Sequence, residues 1–389
     1  MKNDKKEVDM SLKVLQLISG GDTGGAKTHI FSLMEGLSGL VDTKIICFIK
    51  DTFYTDAVEK GINIEVIPQK RRSDMSVVKK IADIVNSENY DIIHCHGARA
   101  NSIAIFLKSK VNVPMITTIH SDYLLDFKDN FYKNLIFTPI NTFSLKKFDN
   151  YVAVTENFKE MLVERGFSEE KIFTLYNGIN MERKAEIITK EEFLSKYDID
   201  PRGKFIVGQV ARLDKVKNIQ MTIKSIKKTI EKNKDILFLI AGDGEELKDL
   251  KNLADELGVS EYVKFLGFVK DNMSFFNAID LNILTSVSES FPYVILEAAK
   301  MKVPTISTSV GGIKELIRYG IDGYLVNTND YFDLADKINY LKEDRELLEK
   351  MGKSINERVK ENFSTKAMAK KQLEIYEEIL RRKNDENFR

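Results

Sequence analysis

Two acids, Glu289 and Glu297, stand in Ser288-Glu289-Ser290-Phe291-Pro292-Tyr293-Val294-Ile295-Leu296-Glu297-Ala298-Ala299-Lys300. Pro292 suits the first turn of a helix, whose early N–H groups are unpaired and attract negative charge. At about 100° per residue, Tyr293, Glu297 and Lys300 share one strip of that helix, and apolar residues fill the rest of its circumference. Two chemistries fit. Glu297 could pair with Lys300 on a wet face while Glu289 is an ordinary loop acid, a pairing worth about 0.3 to 0.5 kcal/mol. Alternatively, both carboxylates accept hydrogen bonds from vicinal hydroxyls, one pair on a sugar and one on a ribose.

The apolar run Phe205 to Val210 leads into Ala211-Arg212-Leu213-Asp214-Lys215-Val216-Lys217-Asn218. Arginine offers phosphate a planar fork, and lysine a compact charge, so Arg212 and Lys217 could stabilise a departing diphosphate. The bland alternative pairs Arg212 with Asp214 and leaves Lys217 in solvent. The acidic pair Asp198 and Asp200 lacks the strand context a catalytic metal would want, so protein cations are expected to do this work without a metal.

A glycine loop, Ser19-Gly20-Gly21-Asp22-Thr23-Gly24-Gly25-Ala26-Lys27-Thr28-His29, follows the first apolar run. It misses a phosphate-binding P-loop by Ala26 in place of the second glycine. A plain tight turn accounts for it equally well. His120 follows the run Met115 to Ile119. In His94-Cys95-His96 the two imidazoles would face the same side of a strand, which could suggest a metal, but two further ligands are missing nearby.

These residues require strands to present them. Short apolar runs alternate with helical patterns throughout, as in doubly wound α/β sheets. The expected strands are Leu12 to Ile18, Lys44 to Ile49, Asn63 to Ile67, Ile92 to Cys95, Met115 to Ile119, Tyr151 to Val154 and Ile172 to Leu175. After a charged linker, Met181 to Asp200, follow Phe205 to Val210, Leu237 to Ala241, Val263 to Leu266, Leu281 to Thr285, Thr305 to Ser307 and Tyr324 to Val326. The pattern predicts one α/β domain over 1–180, a second over 181–363 with a cleft between them, and a helix over 364–389 crossing back to the first. Met368, Leu373, Ile375, Tyr376, Ile379 and Leu380 form that helix's inner face.

With 59 basic and 59 acidic side chains, the 389-residue chain has no net field to draw it to nucleic acid. Cys47 and Cys95 both lie in apolar runs, which predicts buried thiols and a reducing, cytoplasmic setting. The run Leu12 to Ser19 is too short for a signal peptide's full architecture, and no run approaches the about 18 apolar residues of a membrane span, so no bilayer crossing is expected. Leu124 to Phe148 interleaves Phe127, Phe131, Tyr132, Ile136, Phe137 and Phe143 with lysines, and Lys70-Arg71-Arg72 is a small basic cluster. A packed helix beside a solvated loop is the expectation there, with a membrane or lipid-acceptor face as the alternative.

The ordered set resembles family 4 of the retaining glycosyltransferases, which have the GT-B fold. It comprises the glycine loop, His94-Cys95-His96-Gly97, Thr117-Thr118-Ile119-His120, Tyr176-Asn177-Gly178-Ile179-Asn180, Ala211 to Asn218, Ala241-Gly242-Asp243-Gly244, Glu289-x7-Glu297 and Gly311-Gly312-Ile313-Lys314-Glu315. The resemblance implies two Rossmann-like domains and metal-independent transfer of a hexose-type sugar from a nucleotide-sugar donor, UDP-linked or else GDP-mannose. The acceptor would be a glycan or a lipid-linked molecule. It further implies that Arg212 and Lys217 hold the diphosphate, aided by the backbone near Gly24 and Gly25. Glu297 would take the ribose, and Glu289 with the N–H groups of Phe291 and Tyr293 the sugar. Phe268 would meet the base, and His120 the sugar near the reacting carbon. Ser290 and Lys302 stand where the family usually has glycine. A P-loop phosphotransferase and a non-catalytic nucleotide-sugar scaffold are the rival readings.

Overall fold

The computed structural model describes residues 12–21, 24–71, 74–124, 131–183 and 186–387. Met1 to Asp9, Asp22, Thr23, Arg72 and Phe127 lie outside the described residues, as do the side chains of Phe131 and Tyr132. The chain divides into two compact units, residues 1–178 with 365–389, and residues 179–364.

The first unit holds β1 (Lys13–Ile18), β2 (Asp42–Cys47), β3 (Ile64–Val66), β4 (Ile92–His96), β5 (Met115–Ile119), β6 (Asn150–Ala153) and β7 (Ile172–Thr174). They pair in parallel in the order β3-β2-β1-β4-β5-β6-β7. Every residue of β4 and β5 is buried. A parallel sheet covered by helices on both faces has no wet side, which is why these strands read as continuous apolar runs. The helix Thr365–Asn387 belongs to this unit, with Met368, Ala369, Ile375, Tyr376 and Ile379 packed on Val14, Leu33, Leu37, Ile116 and Leu175.

The second unit repeats the architecture with β8 (Phe205–Val210), β9 (Ile236–Ala241), β10 (Val263–Gly267), β11 (Leu281–Leu284), β12 (Thr305–Thr308) and β13 (Gly323–Val326), in the order β10-β9-β8-β11-β12-β13. The chain enters this unit at Ile179 and leaves at Ser364, and the two residues form an isolated bridge. Lys302, which follows the helix Tyr293–Lys300, has a φ of +60°, the left-handed geometry glycine tolerates more cheaply, at a cost of about 1 kcal/mol.

Two expectations need correction. The stretch Met181 to Asp200 is not a bare linker. Thr189 caps a helix, Lys190–Ser195, through a reciprocal box with Glu192, and Phe193 and Leu194 are buried with Phe275, Phe276 and Ile279. Charge in the sequence masked this, because only two side chains of the helix Lys190–Ser195 are buried. The helix Phe131–Leu145 buries Asn141, Ser144 and Leu145 but exposes Leu135, Ile136, Ile140 and Phe143, so its apolar residues are not all packed. Among the described residues no helix is long and apolar enough to cross a membrane.

If the capped helix belongs to the second core, truncating its anchor must cost as much as any core deletion. Phe193→Ala should lower stability by about 3 kcal/mol and Thr189→Ala by about 1 kcal/mol in urea unfolding. A loss below about 0.5 kcal/mol for Phe193→Ala would return the segment to linker status.

Candidate functional site

In the second unit the strand order reverses between β8 and β11, and the loops after these two strands part in opposite directions. Such switch points at the carboxyl edge are where doubly wound sheets take ligands. Arg212 and Lys217 leave β8 there, and Glu289 leaves β11. The Lys217 ammonium donates to Glu289 Oε1 at 2.6 Å, with the two side chains 24% and 10% exposed. Ser286 Oγ donates to the same oxygen at 2.6 Å. Among the described residues Oε2 of Glu289 takes no hydrogen bond, so it keeps its acceptor capacity for a ligand hydroxyl.

The backbone holds this geometry. Asp214 accepts from the N–H groups of Val216 and Lys217, and the Thr285 hydroxyl donates to the carbonyls of Lys217 and Asn218. Val287 N–H donates to Val216 O at 2.8 Å, stitching the two loops together. The helix Ile219–Lys232 starts at Asn218, itself left-handed at φ +49°. Gly242 and Gly311 are required by close approach. A Cβ on either would fall 1.8 Å from a carbonyl oxygen, of Ala211 or of Glu289 respectively, and both have positive φ. The glycines thus press neighbouring loops onto the backbone of the two that carry the candidate charges.

Arg212 bonds Asp214 at 2.5 Å and is 76% exposed. Half of the bland expectation therefore holds, since this pair forms. The other half fails, because Lys217 is engaged by Glu289 rather than solvated. Glu297 lies on the helix Tyr293–Lys300 and accepts from Asn272 Nδ2 at 3.1 Å. Burial pushes its carboxyl up to about 7, against the opposing pull of the Asn272 bond. Lys300 donates to the carbonyls of Asn180 and Arg183. Pro292 occupies the cap rather than the first turn. Phe291 is buried beside Phe363, and Phe268, just after β10, is 80% exposed.

All four histidines gather in the first unit, at its own reversal between β1 and β4. Register explains this: Gln16 on β1 lies opposite His94, and Thr118 on β5 opposite His96. His96 contacts Gln16 Oε1 through Nε2 at 2.9 Å and His120 Nε2 through Nδ1 at 3.2 Å. His94 contacts Tyr376 and Thr118, both at 2.7 Å. His29 meets Asn177 at 2.8 Å and packs edge-on to His120. Both nitrogens of His94 and of His96 are engaged by protein partners, and among the described residues no three histidine, cysteine or acidic side chains are grouped so as to hold a metal ion. Burial holds His29 down to about 4 and His94, His96 and His120 well below the usual imidazole range, so all four are neutral.

Gly24 and Gly25 begin the helix Gly24–Leu37 that carries His29. Lys27, the would-be P-loop lysine, is bound to Asp56. Cys47 and Cys95 are both buried. The structure therefore joins Lys217 to Glu289 directly, links Arg212 to them through Asp214, and gathers His120 with the other imidazoles. Sequence reading did not single out Ser286, Asn272 or Gln16, and took Tyr376 as apolar packing. The one available signal was Gln16, a polar residue inside an otherwise apolar strand.

The raised Glu297 carboxyl sets a pH dependence whose sign is fixed. Its folded value, about 7, exceeds its ordinary value of 4.5, so between these limits the native state holds the proton more tightly than the unfolded chain. Stability from this group is present below pH 4.5 and is lost as pH rises to 7. Glu297→Gln should therefore gain stability over wild type between pH 5 and pH 8 in urea titrations without nucleotide. A difference that stays constant with pH would remove the shift.

Residues 190–358 match the family model described as glycosyl transferases group 1, and residues 23–183 that of glycosyltransferase family 4. The chain is 31% identical over 313 residues to the N-acetyl-alpha-D-glucosaminyl L-malate synthase of Bacillus anthracis, covering 79% of this chain and 80% of that protein. It is 25% identical over 332 residues to the UDP-Gal:alpha-D-GlcNAc-diphosphoundecaprenol alpha-1,3-galactosyltransferase of Escherichia coli, covering 83% of this chain and 85% of the relative. The crystal structure of Anabaena HepE in complex with UDP has the same fold, with a TM-score of 0.81 and 21% identity over 94% of this chain and 100% of that one. Two parallel Rossmann-like sheets, charged residues at a switch point and two family models that between them span both units lead to one conclusion: the chain belongs to the family 4 glycosyltransferases, enzymes of the GT-B fold.

Proposed function

We propose that this glycosyltransferase moves a hexose-type sugar from a UDP-sugar, with GDP-mannose as second choice, retaining the configuration at the transferred carbon. The acceptor is a glycan or a lipid-linked molecule in cell-surface polysaccharide or glycolipid synthesis, handled in the cytoplasm or at the inner membrane face. The observation that carries the reading is the Lys217–Glu289 bond at the reversal between β8 and β11. It brings a phosphate-binding cation within hydrogen-bond reach of an acid able to hold sugar hydroxyls. Support for the uridine donor comes from the UDP bound to HepE and from the name of the Escherichia coli relative, which also motivates the lipid-linked acceptor. The exposed residues Leu135, Ile136, Ile140 and Phe143 give such an acceptor, or a membrane surface, an apolar face to rest on.

In this reading Arg212 and Lys217 bind the diphosphate, with the backbone at Gly24 and Gly25. Glu297 holds the ribose, Phe268 meets the base, and Glu289 with the N–H groups of Phe291 and Tyr293 holds the sugar. The bond from the sugar carbon to the diphosphate oxygen breaks, and its electron pair leaves with the diphosphate. The two cations stabilise that growing charge in place of a metal. The acceptor hydroxyl adds to the same face and passes its proton to the departing phosphate oxygen. Glu289 orients the sugar and stabilises its positive character, while His120 lies beside the reacting carbon. A P-loop phosphotransferase is disfavoured because Lys27 is tied to Asp56 and the helix begins already at Gly24.

Glu289→Ala should lower kcat by about 10²-fold or more with the melting temperature and circular dichroism unchanged. Wild-type turnover in that variant would defeat the assignment. Arg212→Ala should weaken UDP binding about tenfold by calorimetry, and transfer should persist in EDTA. Among nucleotide sugars, UDP-linked ones should raise the melting temperature most, because a ligand that binds only the native state stabilises it by mass action. A larger rise with GDP-mannose would reverse the donor order.

A further inference from the structure

The hydrogen bonds around His94, His96 and His120 form one connected chain with a direction. The Gln16 amide turns its oxygen to His96 Nε2 and its nitrogen to the Tyr376 hydroxyl at 3.0 Å. A carbonyl oxygen only accepts, so His96 must carry its proton on Nε2 and present a lone pair at Nδ1. His120 Nε2 faces that lone pair, so it must carry the proton, and His120 Nδ1 is left as an acceptor. On the other branch Tyr376 accepts from the Gln16 amide and donates to His94 Nδ1, and His94 Nε2–H donates to Thr118.

The chain has a second self-consistent state. Turning the Gln16 amide by half a revolution reverses every bond. His96 would then carry its proton on Nδ1 and donate it to His120, whose remaining proton would move to Nδ1. No charge changes between the two states, and burial keeps every ring neutral in both. What distinguishes them is the orientation of the Gln16 amide, which here turns its nitrogen to Tyr376 and its oxygen to His96.

We propose that Gln16 and Tyr376 are positioning residues that act through His96 to fix His120 as its Nε2–H tautomer, so that it offers an accepting Nδ1. The C-terminal helix thereby sets the hydrogen-bonding character of a residue far from it in sequence. This inference rests on the reading above, in which His120 lies beside the reacting carbon, for its effect on turnover. It does not need that reading for the tautomer itself.

The test is ¹H–¹⁵N spectroscopy of the full chain labelled at histidine, with signals assigned by single His→Gln variants. In the wild type His96 and His120 should both show the Nε2–H pattern, and an Nδ1–H pattern for His120 would overturn the proposal before any variant is made. Tyr376→Phe removes one oxygen and frees the amide to turn. Its His96 and His120 signals should move toward Nδ1–H, and kcat should fall about fivefold or more while the KM for donor stays within twofold. Gln16→Leu should give the same shifts, which guards against one variant failing to fold. Unchanged tautomers in a folded Tyr376→Phe protein would refute the chain's control of His120. Shifted tautomers with unchanged kcat would instead keep the chain and remove His120 from the reaction.

Discussion

The ammonium of Lys217 bridges two loops that the sheet itself cannot join. Strands β8 and β11 are hydrogen-bonded neighbours, yet the connections leaving them run to opposite sides. No backbone ladder continues past their ends. Lys217 and Glu289 cross that gap with one charge-assisted bond, and Val287 crosses it with a backbone bond to Val216. Partial burial makes the ion pair stronger than a surface pair, but also makes either partner costly to leave alone. The pair is therefore a resting arrangement that a phosphate can enter only by sharing the ammonium. Ser286 already supplies a second donor to Glu289 Oε1, so the carboxylate does not lose all compensation when that sharing begins.

The glycines around this pair have a steric reason to be there. Gly311 lies against the Glu289 carbonyl and Gly242 against that of Ala211, at distances no Cβ could occupy. Neither glycine touches the two charges. Each clamps the main chain of a loop bearing one of them, and so limits how far a side chain of several rotatable bonds must be ordered when a ligand arrives.

All thirteen strands were legible from apolar runs, because parallel strands covered on both faces are mostly apolar, with only scattered polar residues such as Gln16 and Thr118 to blur the pattern. Helices with mixed surfaces were harder. Lys190–Ser195 hides two buried residues among charges, and Phe131–Leu145 exposes Leu135, Ile136, Ile140 and Phe143 where periodicity alone predicts packing. Residue types at the candidate site were also legible, since the loops after β8 and β11 carry the acids and cations in order. Pairing was not. Whether Lys217 met solvent or Glu289 depended on which strands became neighbours, and no local pattern encodes that β8 pairs with β11 on the side away from β9. The same holds for Gln16, His94 and Thr118, which share one face only because β1, β4 and β5 lie side by side in that register.

Tyr376 shows how polar contacts divide the work with apolar ones in the first unit. Its neighbours on the helix Thr365–Asn387, among them Met368, Ile375 and Ile379, supply the apolar area that holds the helix to the sheet. That area is nearly indifferent to small shifts along the helix axis, since aliphatic side chains repack with modest loss. The Tyr376 hydroxyl is not indifferent. It is fully buried and meets both Gln16 and His94, so a slip would strand it and its two partners without hydrogen bonds, at about 1 to 3 kcal/mol for each group. One hydroxyl thus specifies the register of a helix whose adhesion it does little to strengthen. Because the groups it meets lead on to His96 and His120, specifying the register and ordering the imidazoles are one constraint.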